Sequence, residues 1–520
     1  MSKNSQVVKA AGVIGVATFA SRILGFIRDA VIAWFFGAGF SSDVFIAAFR
    51  IPNLLRRLFA EGSLSSAFIP VFTEYVIKQG EDEAFHLARS AFQLLSVLLV
   101  LATICGILLS PWIVRLIVPG FSADKLSLTI ILTRLMFPYI FFIGMVALCM
   151  GILNVLDHFA APALAPALLN LSVIGSVFFI SPFMKPPVIG LGIGVLIGGI
   201  FQLLLQLPVL IQKGFHFWER AKMIHPGIKR VVALMPPVIL GGAVYQINIL
   251  VGTLLASLLD QGSVTYLYFA DRLVQFPLGV FAIATATAVL PSLSRQAATG
   301  DLNTLKDTFA HALKLVFFIT IPASVGLIIL REPIIALLFQ RGEFDAQATR
   351  LTAQALLYYA MGLWAFSAVR IIVATFFALQ DTKTPLKVAG VAIVANIVLG
   401  VVLMKPLAHG GLALATSIAS MMNLVLLLGA LRTKLGALGW KNISLSVCRS
   451  MACALIMGVA ISMAALFMFP DTIKTLPGLI GGVAGSIAVG LCIYGAASYM
   501  LKSPELNRVL VETARGIGKK

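Results

Sequence analysis

Long apolar runs recur along the whole chain, and they constrain its fold more than any other feature. Each run is about 20 residues long, which is the length an α-helix needs to cross a hydrocarbon core roughly 30 Å thick. Hydrophobic residues make up 59% of the 520 residues and charged residues only 12%, about half the charged share of a soluble protein. Alternation with a period of two residues is absent, which disfavours a β-barrel. The sequence therefore predicts an all-α polytopic membrane protein.

The apolar runs divide into about fourteen predicted transmembrane helices. The second run is too long for one crossing, so we expect it to break near Gly62 or to project into the cytoplasm. Arg22, Arg28 and Asp29 interrupt the first run, so we expect a retained helix rather than a cleaved signal peptide. The predicted spans are 9–36, 43–77, 86–109, 130–155, 162–181, 188–212, 230–257, 264–291, 312–331, 351–379, 386–404, 410–431, 447–469 and 479–500.

Basic residues are distributed unevenly between the two sides of this topology. With the N-terminus inside, roughly 23 Lys and Arg residues fall in cytoplasmic segments and about 8 fall outside. The positive-inside rule therefore predicts that both termini are cytoplasmic. The net charge of +18 then reflects topology and contact with the lipid bilayer, so we expect no nucleic-acid partner.

Motifs for enzyme chemistry are absent from the sequence. There is no P-loop, no G-x-S-x-G and no carboxylate cluster. The six histidines lack metal-ligand spacing, and the five cysteines form no C-x-x-C pair. The glycine-rich stretch 190–199 lies inside an apolar run, where close helix packing explains it better than phosphate binding. We therefore expect a transporter with no metal and no cofactor.

The chain also repeats itself at a nearly constant offset. The segment 41–51 aligns with 263–273 and brings Arg50 onto Arg272, while 65–72 aligns with 286–293, and 108–121 with 329–344. Repeats of six helices share one topology, so their symmetry axis should run along the membrane normal, with a substrate cavity between the lobes. The predicted domains are an N-lobe at 1–220, a C-lobe at 221–440, and two extra helices with a tail at 441–520.

Seven arginines lie inside the predicted spans. A charge at the centre of a bilayer costs roughly 2.5–3.5 kcal/mol on insertion scales, so these side chains must be paired or must line a wet cavity. All seven are arginine and none is lysine. They are Arg22, Arg28, Arg50, Arg56, Arg57, Arg272 and Arg370.

Polar side chains accompany these arginines. Helical spacing aligns Asn53 with Arg57, and it allows internal ion pairs such as Arg57 with Glu61, Arg22 with Asp29, or Arg272 with Asp271 or Asp43. For Arg370, a cavity role and a structural pair are equally open. The supporting polar residues of the predicted cavity are Asp29, Asp43, Arg50, Asn53, Glu61, Asp271, Gln275 and Arg370.

The arginines outnumber the carboxylates inside the membrane, so the surplus positive charge requires an anion. A diphosphate fits, because guanidinium groups bind phosphate oxygens bidentately and stay charged at physiological pH. Gly25 and Gly62 are candidate hinges, although glycine in a membrane helix also serves close packing.

Four segments carry a resemblance to a known family. The run FRIPNLLRRLFAEGSLSSAFIPVF at 49–72, with SRILGFIRDA at 21–30, YFADRLVQFPLGV at 268–280 and LQDTKTPLKV at 379–388, resembles the MurJ (MviN) family of lipid II flippases. That family belongs to the multidrug/oligosaccharidyl-lipid/polysaccharide exporter superfamily. The resemblance implies two lobes and an extra helix pair that forms a groove for the lipid tail.

The resemblance also implies a substrate and a site. The substrate would be undecaprenyl-diphosphate-linked MurNAc-pentapeptide-GlcNAc, moved from the inner to the outer leaflet of the bacterial inner membrane. We expect the carrier to be monomeric. The family's important charges correspond to Arg22, Arg28, Asp43, Arg56, Arg57 and Arg272, of which the five arginines would bind the diphosphate. Gln275 stands where relatives often have an acid. Relatives that bind sodium use carboxylates, whereas the corresponding spans here carry Gln246, Asn248 and Asn396.

We expect these arginines to act within an alternating-access cycle. Movement of their charge would make the cycle sensitive to membrane potential, at about 2.3 kcal/mol per charge per 100 mV, or to a monovalent ion. The alternative function is a cation-coupled exporter of drugs or of other oligosaccharide lipids in the same superfamily. A membrane glycosyltransferase is disfavoured because no acidic residues cluster near a membrane face, and a channel is disfavoured by the two-lobed repeat.

Overall fold

A computed structural model describes residues 3–57, 64–217, 219, 225–469 and 476–506. Across these ranges the regular structure is helical throughout and no strand occurs. In chain order the α-helices are α1 Lys3–Phe36, α2 Phe40–Leu55, α3 Leu64–Gln79, α4 Glu81–Ile117, α5 Ala123–Met136, α6 Tyr139–Val155, α7 Ala160–Phe179, α8 Ile189–Gln212, α9 Pro226–Ser257, α10 Ser263–Pro277, α11 Ala284–Ala298, α12 Leu302–Ile329, α13 Arg331–Phe339, α14 Ala346–Ala378, α15 Lys383–Leu435, α16 Trp440–Met468 and α17 Leu476–Met500.

Ten helical stretches in the described residues are long and apolar enough to cross a membrane. This confirms the prediction of an all-helical polytopic membrane protein. Some stretches combine two helices: α5 with α6 forms one, and α10 with α11 forms another, joined through a π-helical segment at Leu278–Ile283. The 53-residue α15 is two helices that meet at a kink, where Ala408 has φ 47° and ψ −132°. That kink separates the predicted spans 386–404 and 410–431.

The long second apolar run, 43–77, corresponds to α2 and α3. α2 contains Pro52, which has no backbone N–H to donate to the preceding turn. Beyond Leu55 the chain continues through Arg56 and Arg57 in a π-helical turn. Glu61 and Gly62 lie outside the described residues, and so does the break that we predict near Gly62.

The chain divides into two compact units, Met1–Thr265 and Tyr266–Lys520. In the first unit, glycines let α8 approach its neighbours closely. A Cβ at Gly198 would lie 2.8 Å from Leu169 on α7, and one at Gly199 would lie 2.8 Å from Tyr139 on α6. The glycine-rich stretch therefore serves helix packing, as predicted.

In the second unit, α14 packs against α12 and α15, while α16 packs against α12 and α17. The Tyr494 hydroxyl on α17 donates a 2.7 Å hydrogen bond to the carbonyl of Phe318 on α12. The rings of Phe269, Phe339 and Phe344 form an aromatic cluster, with centroids 4.8 Å apart for Phe269 and Phe339. This cluster holds α10 against α13, so α10 has a fixed place in the unit. The predicted division at residues 220 and 440 stays a prediction.

Candidate functional site

Arg28 on α1 is held by an acid and an amide. Its Nε and Nη2 donate to Asp29 Oδ1 at 3.0 and 2.7 Å, and its Nη1 donates to Asn170 Oδ1 at 3.1 Å. Asn170, on α7, also donates from Nδ2 to the carbonyl of Ser21 at 3.0 Å. A Cβ at Gly25 would lie 3.7 Å from that Nδ2, so Gly25 sits at ordinary contact distance from Asn170. The amide thus links the guanidinium of Arg28 to the backbone of its own helix.

Asp29 is 2% exposed, and its partner is Arg28 at 2.7 Å. Helical spacing placed Asp29 on the face of Arg22, whereas the structure pairs it with its neighbour in sequence. The Arg22 side chain is exposed.

Arg56, just beyond the end of α2, is oriented by a neutral partner one turn earlier. Its Nε and Nη2 donate to Asn53 Oδ1 at 3.1 and 3.0 Å. Helical spacing placed Asn53 on the same face as Arg57 and did not predict this contact of Asn53 with Arg56. Arg50 and Arg57 are half-buried. The Asn53 amide oxygen therefore fixes the direction of the Arg56 guanidinium.

Asp43, near the start of α2, is 1% exposed and accepts four hydrogen bonds. Oδ2 accepts from Lys125 Nζ at 2.6 Å and from the Gly262 N–H at 2.8 Å. Oδ1 accepts from the Thr265 N–H at 3.0 Å and from Thr265 Oγ1 at 2.6 Å. Lys125 is itself 6% exposed, and its Nζ lies 4.2 Å from the centroid of the Phe121 ring. Asp43 thereby connects α2, α5 and the start of α10.

In the second unit, Arg272 on α10 also has a neutral partner. Its Nη2 donates to the Tyr268 hydroxyl at 2.7 Å, and its Cζ lies 4.8 Å from the centroid of the Tyr268 ring. On the same helix, Gln275 Nε2 donates to Asp271 Oδ1 at 3.4 Å. Arg370, on α14, is exposed.

Four side chains of these clusters were not among the predicted site residues: Asn170, Lys125, Thr265 and Tyr268. Asn170 could have been suspected, because a lone amide inside an apolar run is costly unless it has a polar partner. Tyr268 lies one helical turn before Arg272 and inside the segment that carries the family resemblance. Nothing local in the sequence marks Lys125, since the topology placed it in an external loop.

The chemistry of these clusters is the presentation of oriented cations. Asn53 and Tyr268 each orient a guanidinium group, and guanidinium donors are suited to phosphate oxygens. Among the described residues, no group of three or more His, Cys, Asp or Glu side chains is placed to hold a metal ion.

Comparison with known proteins connects this chain to one family. The family model described as "Lipid II flippase MurJ" matches residues 32–476. The chain is 39% identical over 437 residues to a probable lipid II flippase MurJ of Vibrio cholerae serotype O1, which covers 82% of each protein. It is 35% identical over 520 residues to a probable lipid II flippase MurJ of Rhizobium meliloti. That alignment covers 98% of this chain and 96% of the relative.

Solved structures agree with the sequence matches. A structure titled as lipid II flippase MurJ in an inward closed conformation superimposes with a TM-score of 0.79 at 28% identity, covering 94% of this chain and 99% of that chain. An inward-facing multidrug resistance transporter of the MATE family superimposes with a TM-score of 0.68 at 18% identity, covering 80% of this chain and 95% of that chain. The second likeness concerns the fold alone.

Proposed function

The chain belongs to the MurJ family of lipid II flippases, and from that membership we propose that its oriented arginines bind the diphosphate of the lipid. The protein is a multi-pass membrane transporter, not an enzyme, and its function is the translocation of lipid II for peptidoglycan synthesis. The proposed binding residues are Arg22, Arg28, Arg56, Arg57 and Arg272.

The observation that carries the proposal is the orientation of two guanidinium groups by polar side chains. Arg56 donates twice to the amide oxygen of Asn53, and Arg272 donates to the phenol of Tyr268. A carboxylate in either place would orient the guanidinium equally well but would compete with phosphate for it. Neutral partners pre-organise the cation, which reduces the entropy lost when the anion binds.

Arg28 makes a different contribution within the same proposal. Its charge is balanced by Asp29, and Asn170 fixes the guanidinium from the other side. Arg28 therefore supplies hydrogen-bond donors whose direction is fixed from two sides.

Translocation proceeds by alternating access in this proposal, on a fold of about fourteen helices in two repeats. The spacing of the helices supports the duplication. The first residues of α2, α3, α4, α5 and α7 are matched by those of α10, α11, α12, α14 and α15 at offsets of 220 to 223 residues. The segment alignments in the sequence have the same offset. Both termini are proposed to be cytoplasmic and the carrier monomeric, with no bound cofactor and with sensitivity to membrane potential.

Complementation tests the function directly. A cell depleted of its own flippase is supplied with this chain, and lipid II is scored on the outer leaflet. Wild type should restore translocation, while Arg56→Ala and Arg272→Ala should abolish most of it at equal membrane abundance. Arg115→Ala removes an exposed arginine at the end of α4 and should behave as wild type. Failure of the wild-type chain, with efflux of drugs gained instead, would favour the multidrug exporter.

A further inference from the structure

The second unit contains a cavity of about 630 Å³, and none of its lining residues is one of the arginines proposed to bind the diphosphate. It lies where α12 begins, where α15 gives way to α16, and where the chain continues after α17. Its volume is within the roughly 300–1,000 Å³ range of small-molecule sites. Its titratable lining residues are Lys306, Asp307, His311, Lys314 and Glu505.

Side chains of both charge signs line this cavity. Glu505 is 4% exposed, and its carboxylate accepts hydrogen bonds from Ser446 Oγ at 2.7 Å and Ser503 Oγ at 2.8 Å. Burial raises the pKa of Glu505, but the two serine hydrogen bonds and the charge of Lys314 outweigh burial and hold that pKa below its ordinary value. Glu505 is therefore a buried carboxylate that belongs to the wall of the cavity.

Two lining residues at the start of α12 face solvent more openly. Lys306 is half-buried and Asp307 is exposed. Asn442, in the first turn of α16, adds an amide to the lining. The lining of the cavity thus combines ammonium groups and an amide with carboxylates. This lining suits a ligand that carries both a phosphate and a cationic group able to donate hydrogen bonds. The carboxylates would repel a ligand that is only an anion.

The place of the cavity identifies the kind of ligand. α12, α15, α16 and α17 are all candidate membrane spans, and the cavity lies at their ends, which is the level of lipid head groups. Trp440 begins α16, and tryptophan is enriched at that interface. The positive-inside prediction places this end on the cytoplasmic side.

We propose that this cavity binds the head group of phosphatidylethanolamine, with its phosphate on Lys306 and Lys314 and its ammonium on Asp307. Phosphatidylglycerol lacks the cation that Asp307 would bind. Phosphatidylcholine has a cation that cannot donate a hydrogen bond to a carboxylate. The site is separate from the arginines and concerns a resident lipid rather than the transported one.

Binding of short-chain lipids to delipidated full-length protein in detergent tests the proposal by native mass spectrometry. Wild type should retain phosphatidylethanolamine in preference to phosphatidylcholine and phosphatidylglycerol. Lys306→Gln should weaken phosphatidylethanolamine binding about tenfold, the effect of losing a charge-assisted hydrogen bond. Asp307→Asn should abolish the preference for phosphatidylethanolamine over phosphatidylcholine while keeping the phosphate contact.

Lys441→Gln is the matched control, because Lys441 is exposed, lies in the first turn of α16 and does not line the cavity. It should bind as wild type, and all variants should share the wild-type melting temperature without lipid. Equal binding by Lys306→Gln, or a preference of wild type for phosphatidylglycerol, would overturn the proposal. Competition by inorganic phosphate or glycerophosphoethanolamine as strong as by the lipid would also overturn it, in favour of a soluble ligand.

Discussion

Asp43 and Thr265 are joined by two hydrogen bonds, although 222 residues separate them in the chain. The same offset relates the aligned segments 41–51 and 263–273, so these two residues occupy equivalent positions of the predicted repeat. The carboxylate of Asp43 accepts both hydrogen bonds, and the N–H and the hydroxyl of Thr265 donate them. If the chain arose by duplication, as we propose, equivalent positions with different side chains have become complementary partners.

The Asp43–Lys125 ion pair should be a large determinant of stability. Asp43→Asn leaves the ammonium of Lys125 buried without a countercharge, and breaking a buried pair in this way costs roughly 3–5 kcal/mol. The melting temperature of the purified protein should therefore fall. The double variant Asp43→Asn/Lys125→Met also lacks the buried ammonium group, so much of the lost melting temperature should be recovered. A double variant as unstable as the sum of the single variants would contradict this account.

Asn170 should act on lipid binding through Arg28. Asn170→Ala removes one of the hydrogen bonds that orient the guanidinium, which is a hydrogen bond to a charged group worth about 1.5–3 kcal/mol. Affinity for lipid II should fall about tenfold, and Asn170→Ala should cause little further loss when it is added to Arg28→Ala. Independent losses that multiply in the double variant would show that Asn170 acts elsewhere. Ser176→Ala, at a buried polar residue on the same helix, serves as the control.

Close packing of α8 against α7 predicts different effects of alanine at Gly198 on α8 and at Gly175 on α7. A Cβ at Gly198 would lie 2.8 Å from Cδ1 and 3.0 Å from Cα of Leu169, whereas one at Gly175 would meet nothing within 4 Å. Gly198→Ala should destabilise the protein by about 1–3 kcal/mol through overpacking. Gly175→Ala should be neutral or stabilising by up to about 1 kcal/mol, because alanine favours a helix. Thermal unfolding in detergent distinguishes the two, and equal effects would refute the packing argument.

Asp381, in the loop between α14 and α15, makes a pH-dependent contribution. Hydrogen bonds from the Lys434 ammonium, then from the Thr384 side chain and N–H, hold the pKa of Asp381 well below its usual value. A lowered folded-state pKa stabilises the protein above the unfolded-state pKa of about 3.9, and this stability is lost as pH falls through the folded-state value. Asp381→Asn should therefore be less stable than wild type at neutral pH.

The difference between Asp381→Asn and wild type should shrink progressively as the pH falls below about 4. Melting temperatures measured between neutral pH and acid check this. Lys434→Met should reproduce the loss at neutral pH, because it removes the first of the groups that lower the pKa. A difference that stays constant with pH would mean that Asp381 acts by packing alone.

Much of the fold follows from local sequence, because hydropathy over 20 residues reports directly on membrane helices. The kink at Ala408 falls between two predicted spans, and the starts of α7, α8 and α17 lie within three residues of prediction. The short α13 was not predicted, since nine residues are too few for a span.

The site was less predictable, because its contacts depend on tertiary structure. The contact of Arg28 with Asn170 spans 142 residues, and hydropathy carries no information about it. The contact of Arg56 with Asn53 is local, yet spacings of three and four residues are both allowed on a helix. Helical periodicity alone could not choose between Arg56 and Arg57.

The central claim is that Asn53 orients Arg56 for binding the diphosphate. Asn53→Asp tests it most directly, because a carboxylate keeps an acceptor for Arg56 but competes with the diphosphate for the same donors. Affinity of the purified protein for lipid II should fall with Asn53→Asp about as far as with Arg56→Ala, while Asn53→Ala should lose less. Wild-type affinity in Asn53→Asp would contradict the account.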